Sequence, residues 1–268
     1  MAELQMSFLF CLSAFLLTPA HSTVLVTGAT GRTGSLLYKL LQQGGHLGET
    51  RALVRNTTEA HDKLGCKACN ASDGVFIGDV TKPSTLDAAF AGVSTLAIAV
   101  GVHGNEPKSV VEEVEWLGVK NQVQALVKDG AAGKRVLLIS TMGTTDPPSP
   151  KDVNFVFFYK MNAEAFLENA GISYVIIKPC GLSEDAGNQR ELMAGHDDSL
   201  FQTGFYMIPR RDVATVAAAA LIAPPADQMR FDLCAKQPGT GPGDVPRVLQ
   251  DALWPWQRTS DSANEIKV

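Results

Sequence analysis

The glycines Gly28, Gly31 and Gly34 have the spacing G-x-x-G-x-x-G and follow directly on a short run of β-branched and aliphatic residues. That run, 23–27, is apolar throughout, as in a parallel strand that is covered on both faces. Leucines then recur at helical spacing over 36–41, which predicts an amphipathic helix. A glycine turn between a strand and a helix can bind the pyrophosphate of a dinucleotide at the helix N-terminus. The alternative is an ordinary strand-turn-helix with incidental glycines.

Arginines near this turn indicate which dinucleotide is bound. Arg32 lies inside the turn, and Arg55 ends the next predicted strand, where proteins built for NAD usually have Asp or Glu. A guanidinium can make two charge-assisted hydrogen bonds to a 2′-phosphate. We therefore predict NADP(H) in preference to NAD(H). The alternative for Arg55 is a solvated residue at the end of a strand.

Apolar strands and amphipathic helices alternate along the rest of the domain. Crossovers of this length favour a parallel, doubly wound sheet, which is the α/β architecture of a Rossmann domain. Between 111 and 130 we expect one long helix with Val114, Leu117, Val123 and Leu126 on its apolar side. Ligands of such sheets bind at the carboxyl ends of the strands. In this chain those ends carry Gly28, Arg55, Asp79, Gly101, Ser140, Thr141, Pro179 and Gly181.

The composition limits the class of protein. The chain has 268 residues, of which 45% are hydrophobic, and this is enough for one large α/β domain. Because the net charge is −5 and no long basic run is present, we expect no nucleic-acid partner. The five cysteines are odd in number and scattered, which argues against a disulfide framework. We expect Cys66 and Cys69 to be two thiols of a loop; a redox pair is the alternative, and a zinc site would lack half its ligands.

A hydrophobic leader, 1–22, precedes the domain. Its apolar core, 7–17, is short for a bilayer span, so we predict no stable membrane span. It resembles a signal peptide, although its start carries Glu3 and no Lys or Arg. The leader is therefore a secretory signal, a plastid-directed presequence or a buried extra segment, and a cytoplasmic or plastid location stays open. We place the Rossmann domain at 23–256 and a polar tail at 257–268.

A set of motifs, taken together, resembles those of the atypical short-chain dehydrogenase/reductases: TVLVTGATGRTG, GDV, WLGVKNQ, YKMNAEAFLENAGISYVIIKPCGL, LFQTG and RRDVA. The set is most similar to the plant and algal NAD(P)-binding Rossmann proteins related to the NmrA-like group. The resemblance implies one Rossmann domain with a small C-terminal lobe on the substrate side. It also implies NADP(H) binding, with the Asp79–Val80 pair against the adenine. The matching residues are Gly28, Thr30, Gly31, Arg32, Thr33, Gly34, Arg55, Asp79 and Val80.

The resemblance also implies an active-site lysine, which we assign to Lys160. Standard short-chain dehydrogenases have a Tyr four residues before that Lys, whereas this chain has Val156, which cannot transfer a proton. Tyr159 is adjacent to the Lys and points about 100° away on a helix. Either Ser140 or Thr141 takes the place of the usual Ser/Thr, so the candidate catalytic residues are Lys160, Thr141, Ser140 and Tyr159.

Lys160 would bond the ribose hydroxyls of the cofactor and lower the pKa of a neighbouring acid. We expect it to pair with Glu164, one helical turn further on. Alternatively, Lys160 is a solvated helix residue and Tyr159 serves only in packing. His103 and His196 are the other acids to consider, although each is more simply explained as a loop residue.

The expected function is NADP(H)-dependent hydride transfer to a small carbonyl, quinone or enone, which makes the partners NADP(H) and a small molecule. The missing Tyr favours an alternative, a regulator that senses NADP(H) and passes a change of shape to a protein partner. A third possibility is a scaffold that binds no nucleotide.

Overall fold

The computed structural model describes residues 22–45, 48–103, 105–145, 152–204, 207–224 and 226–258. The leader up to residue 21 and the tail from residue 259, both assigned from the sequence, lie outside these ranges. The strands are β1 (Thr23–Thr27), β2 (Glu49–Val54), β3 (Val75–Ile77), β4 (Thr95–Ile98), β5 (Arg135–Ile139), β6 (Ser173–Pro179), β7 (Gly181–Ser183), β8 (Leu192–Gly195), β9 (Met207–Pro209) and β10 (Gln228–Ala235). The helices are α1 (Gly34–Gly44), α2 (Thr57–Leu64), α3 (Asp87–Phe90), α4 (Lys108–Val111), a π-helical segment (Glu112–Leu117), α5 (Gly118–Val127), α6 (Val156–Glu168), α7 (Arg210–Ile222) and α8 (Val245–Asp251).

The main sheet has the strand order β3-β2-β1-β4-β5-β6-β10-β8. Its neighbouring strands are all parallel except β10 and β8, which pair antiparallel. The predicted doubly wound α/β Rossmann fold is therefore confirmed, with an antiparallel edge strand that the sequence pattern did not reveal. Because the strand order reverses between β1 and β4, the ligand crevice of such a sheet opens at their carboxyl ends.

Alternating residues of the central strands are buried on opposite faces of the sheet. Val24 and Val26 of β1 pack on the side of α1, α7 and α8, whereas Leu25 packs on the side of α3, α5 and α6. Strands β5 and β6 divide their side chains between the two cores in the same way. This burial on both faces explains why the strands are continuous apolar runs.

A small lobe follows β6 at the carboxyl end of the sheet. It contains a separate two-stranded parallel sheet of β7 and β9 and a 3₁₀ turn at Ser199–Thr203, whereas β8, between them in sequence, is the edge strand of the main sheet. The predicted small lobe is thus present, although its short strands show no clear periodicity in the sequence. Among the described residues, none of the helices combines the length and the apolar composition that a membrane crossing needs.

The predicted long helix between 111 and 130 differs from the structure in its register. Its first half contains the π-helical segment, which inserts one extra residue per turn and rotates the side chains that precede it. As a result Leu117, expected on the apolar side, is 38% exposed, whereas Glu115 is 2% exposed. Val123 and Leu126, beyond the π segment, are buried as expected.

The expectation of unpaired cysteines was wrong for the part of the chain that the structure describes. Cys66 is bonded to Cys69, and Cys180 to Cys234. The latter pair is 54 residues apart in sequence, yet β6 and β10 bring the Cα atoms to 5.3 Å. Scattered cysteines gave no sign of this pairing because it depends on strand order. Cys11 lies outside the described residues.

Gly34 provides a test of the packing between the glycine turn and the sheet. A Cβ atom on Gly34 would lie 2.1 Å from the carbonyl oxygen of Gly28, and backbone cannot move away at little cost. We predict that Gly34→Ala lowers the free energy of unfolding by about 2 kcal/mol or more. Gln43→Ala, exposed on the same helix, should change it by less than about 0.5 kcal/mol. Equal stability of the two variants in urea denaturation would contradict the described packing.

Candidate functional site

The glycine turn crosses closely over the end of β4. Gly28 has a φ of +67°, and a Cβ atom there would lie 2.5 Å from the carbonyl oxygen of Ala99. The amide of Gly31 donates to the carbonyl of Gly28 over 2.8 Å, which closes the turn. Helix α1 begins at Gly34, so its first amide groups and the positive end of its dipole face the turn. The turn is therefore a cradle that fits a phosphate and that side chains would fill.

Charged side chains surround this cradle. The guanidinium NH1 of Arg32 lies 3.3 Å from Oε1 of Glu184, and Nε of Arg210 lies 2.8 Å from the same oxygen. Arg210 also donates to the hydroxyl of Thr33, the residue before α1, over 3.3 Å. Sequence reasoning found Arg32 and Thr33 but missed Arg210 and Glu184. A signal was present, because Arg210 starts α7, and a cation is unfavourable at a helix N-terminus without a further role.

Arg55 and Asp79 lie at the carboxyl ends of β2 and β3. Arg55 is exposed. Burial acts to raise the pKa of Asp79, but hydrogen bonds from Thr81 and the charges of Lys82 and Arg55 lower it below its usual value. The structure therefore places Arg55 and an ionised Asp79 together at the expected adenosine end. The neighbouring Val80 accepts a hydrogen bond from Asn121 of α5 through its carbonyl oxygen over 2.9 Å.

A carboxylate also lies near this end of the site. The hydroxyl of Thr30 donates to Oε2 of Glu59, in the first turn of α2, over 3.3 Å. Glu59 was not among the residues predicted from the sequence, because the usual acidic residue ends the second strand. This end of the site thus carries both a cation, Arg55, and a carboxylate, Glu59.

Lys160 is held by a buried carboxylate that sequence reasoning did not identify. Its Nζ lies 2.7 Å from Oε2 of Glu115, and the side chain of Lys160 is only 14% exposed. The other oxygen of Glu115 accepts the amide of Val102 over 2.8 Å, next to Gly101. The expected pairing with Glu164 was wrong, since the π-helical segment turns Glu115 inward and Glu164 has other partners. The ion pair joins α6 to the loop after β4.

Glu164 is the centre of a second buried network. Ser140 donates a short hydrogen bond to Oε1 of Glu164, and Thr144 donates to Oε2 over 3.1 Å. Arg230 of β10 lies 2.8 Å from Oε2. The hydroxyl proton of Ser140 is therefore directed into the protein. Within the described ranges the neighbouring Thr141 has no hydrogen-bond partner for its hydroxyl, which leaves this group available.

The hydroxyl of Tyr159 is likewise hydrogen-bonded to a carboxylate. Its hydroxyl donates to Oε2 of Glu112 in the π-helical segment over 3.0 Å. The ring packs edge-on against Phe158, with the centroids 5.5 Å apart. Burial, and then the hydrogen bond to Glu112, raise the pKa of Tyr159 above its ordinary value. Tyr159 therefore keeps its proton at neutral pH. Its ring contact with Phe158 agrees with the alternative in which Tyr159 serves in packing.

A buried lysine holds the loop that follows β5. Lys178 of β6 is fully buried, and its Nζ lies 2.9 Å from Asp198 and 3.3 Å from Asp232. Asp198 accepts the amides of Gly143 and Thr145 over 2.8 and 2.9 Å. Burial raises the pKa of Asp232. Lys178 was also missed, although a lysine inside the apolar run YVIIKP is an available signal.

The remaining predicted residues lie at the carboxyl ends of the strands. The carbonyl of Pro179 accepts the amide of Met142 over 2.9 Å, and Gly181 begins β7. His103 is exposed next to Val102. His196 stacks on Trp254 with ring centroids 3.7 Å apart, and burial lowers its pKa. His196 therefore acts in packing.

Comparison with known proteins places these features in a family. A family model described as NAD(P)H-binding matches residues 28–224. An uncharacterised chloroplastic protein of Arabidopsis thaliana is 35% identical over 240 residues, which cover 82% of this chain and 71% of that protein. The sanguinarine reductase of Eschscholzia californica is 32% identical over 256 residues, covering 82% and 91%. A solved structure from Bacillus halodurans, provisionally named an NAD-dependent epimerase/dehydratase, aligns with a TM-score of 0.69 at 22% identity, over 85% of this chain and 99% of its own.

Removing the carboxylate of Glu115 tests the environment of Lys160. Glu115→Ala leaves the largely buried ammonium of Lys160 without its partner, so we predict a loss of about 3 kcal/mol in the free energy of unfolding. Glu113→Ala removes the same charge from an exposed position of the same segment and should cost less than about 0.5 kcal/mol. The measurement is denaturant unfolding of both variants. A small effect of Glu115→Ala would mean that Lys160 reaches water.

Proposed function

The chain belongs to the NAD(P)H-binding family, in the group of atypical short-chain dehydrogenase/reductases, and we propose that it is an NADP(H)-dependent reductase. The proposed reaction is hydride transfer to a small carbonyl, quinone or enone. The observation that carries the proposal is the buried Lys160–Glu115 pair beside Gly101, where the ends of the strands form the crevice. The relative named sanguinarine reductase supports reductase chemistry.

The residues of the crevice fit the parts of a dinucleotide. The glycine turn and the N-terminus of α1 bind the phosphates through backbone amides. Gly101, Pro179 and Gly181 border the space at the opposite end of the crevice, and Lys160 donates to ribose hydroxyls there. Glu115 fixes the position of the ammonium before the cofactor arrives, which lowers the cost of ordering it. When bound, the nicotinamide supplies the hydride.

The proton that completes a reduction has few sources in this site. Tyr159 and Ser140 already donate their hydroxyl protons to the carboxylates of Glu112 and Glu164. Among the residues that the structure describes, no partner binds the hydroxyl of Thr141, so we propose that it orients the substrate oxygen and passes a proton from water. The positive charge of Lys160 favours the oxyanion that forms at that oxygen.

Arg55 tests the choice of NADP(H). A charge-assisted hydrogen bond contributes about 1.5–3 kcal/mol, so Arg55→Ala should weaken NADPH binding about tenfold or more and leave NADH binding almost unchanged. Because NADH lacks the 2′-phosphate, it is the internal control. Titration calorimetry measures both affinities. Equal losses for the two cofactors, or an initial preference for NADH through Glu59, would rule out the proposed specificity.

The catalytic assignment is tested by replacing neighbours on α6. General acid-base groups typically contribute 10²–10⁴-fold, so an enzyme that relies on water should be slow but active. We predict that Lys160→Met lowers kcat at least about 10²-fold, and Tyr159→Phe less than about tenfold. NADPH oxidation with quinones, aldehydes, enones and sanguinarine is the assay, and circular dichroism checks folding. Wild-type turnover by Lys160→Met would remove Lys160 from the mechanism.

A second candidate function is favoured by the shortage of proton donors in the site. The hydroxyl groups of Tyr159 and Ser140 already donate hydrogen bonds to carboxylates, and Val156 stands in the place of the usual Tyr. In this alternative the protein senses NADP(H) and carries out no chemistry. Tight NADPH binding without turnover on any of these substrates would support the sensor and reject the reductase.

A further inference from the structure

One carboxylate is shared by two arginines at the entrance to the phosphate cradle. Oε1 of Glu184 lies 2.8 Å from Nε of Arg210 and 3.3 Å from NH1 of Arg32. Glu184 is 65% exposed and follows β7 in the small lobe, whereas Arg210 is only 11% exposed. The contact therefore joins the lobe to the glycine turn through an accessible acid and a largely buried base.

The position of Arg210 is unfavourable unless an anion is nearby. Arg210 is the first residue of α7, so its charge adds to the positive end of that helix, and the N-terminus of α1 contributes a second positive field. Its NH1 also donates to Thr33, which fixes the guanidinium at the cradle. Asp212 in the first turn of α7 offsets part of the field of that helix, whereas Arg210 and Arg32 themselves pair with the exposed Glu184.

A dinucleotide pyrophosphate carries the negative charge that the guanidinium groups of Arg32 and Arg210 need. Arginines bind phosphate oxygens through paired charge-assisted hydrogen bonds, whereas an ion pair with an exposed carboxylate contributes little in water. The pyrophosphate of such a ligand lies at the N-terminus of the first helix, next to Thr33 and Arg32. It could therefore take the place of Glu184 on both guanidinium groups.

We propose that Arg210 is a pyrophosphate-binding residue of the cofactor site and that Glu184 is its exchangeable counterion, which competes with the cofactor for Arg32 and Arg210. The proposal rests on the nucleotide-binding part of the proposed function. It assigns Arg210 and Arg55 to different phosphates. Arg210 contributes to NADPH and NADH alike, whereas Arg55 discriminates between them.

Cofactor affinities of three full-length variants test this proposal. Arg210→Met keeps the buried stem of the side chain and should weaken both NADPH and NADH about tenfold. Glu184→Gln removes the competing charge and should tighten both about threefold, more at low salt than at high salt. Arg211→Ala removes the same charge from the exposed neighbouring position and should bind as the wild type does. Fluorescence titration gives the affinities, and thermal unfolding without cofactor checks each fold.

The outcomes separate this proposal from the proposed function. If Glu184→Gln weakens binding, or lowers only the thermal midpoint, Glu184 is a structural partner of α7 and the proposal fails. If folded Arg210→Met binds both cofactors as Arg211→Ala does, Arg210 is not a phosphate ligand. In either case, if the wild-type protein binds NADPH, the result is still compatible with the proposed function. Absence of binding by the wild type would reject the proposed function itself.

Discussion

A side chain at Gly28 would collide with the backbone of Ala99 after β4, and a side chain at Gly34 with the carbonyl oxygen of Gly28, so the turn is in close contact with both the sheet and α1. This contact fixes the distance between β1 and α1, and with it the direction in which the first amides of α1 point. The crevice between β1 and β4 depends on the same contact, because the sheet reverses its strand order there. Both the α/β layers and the phosphate cradle therefore depend on the absence of a few Cβ atoms.

Buried ion pairs hold the rest of the site in place. Glu115 joins Lys160 to the loop after β4, and Lys178 acts through Asp198 on the loop after β5. Removing a charge from water is costly, so each of these groups needs its partner in a defined position. The loops at the ends of the strands thus gain fixed positions that apolar packing alone would not give them. Rigid loops of this kind favour binding because little ordering remains when a ligand arrives.

The layers of the fold could be predicted because their periodicity is local. The parallel sheet and the phosphate cradle were predicted from the apolar runs, the helical spacing of the leucines and the glycine turn. The family was predicted from the set of motifs. The partners of Lys160 and Ser140 could not be predicted in this way. Glu115 faces inward only because a π-helical segment shifts the register, and Arg210 meets Glu184 only when the lobe has folded onto the turn. Such contacts join residues far apart in sequence, as does the Cys180–Cys234 disulfide.

The central claim is that a nicotinamide dinucleotide lies across the carboxyl ends of the strands, with its pyrophosphate on the glycine turn and its nicotinamide ribose beside Lys160. A crystal structure of the protein with NADP⁺ tests this most directly. We expect electron density for the pyrophosphate against the amides of 31–34, and a ribose hydroxyl within hydrogen-bonding distance of Nζ of Lys160. Density for the cofactor elsewhere on the chain, or an unchanged Lys160–Glu115 pair with the ribose out of reach, would contradict it.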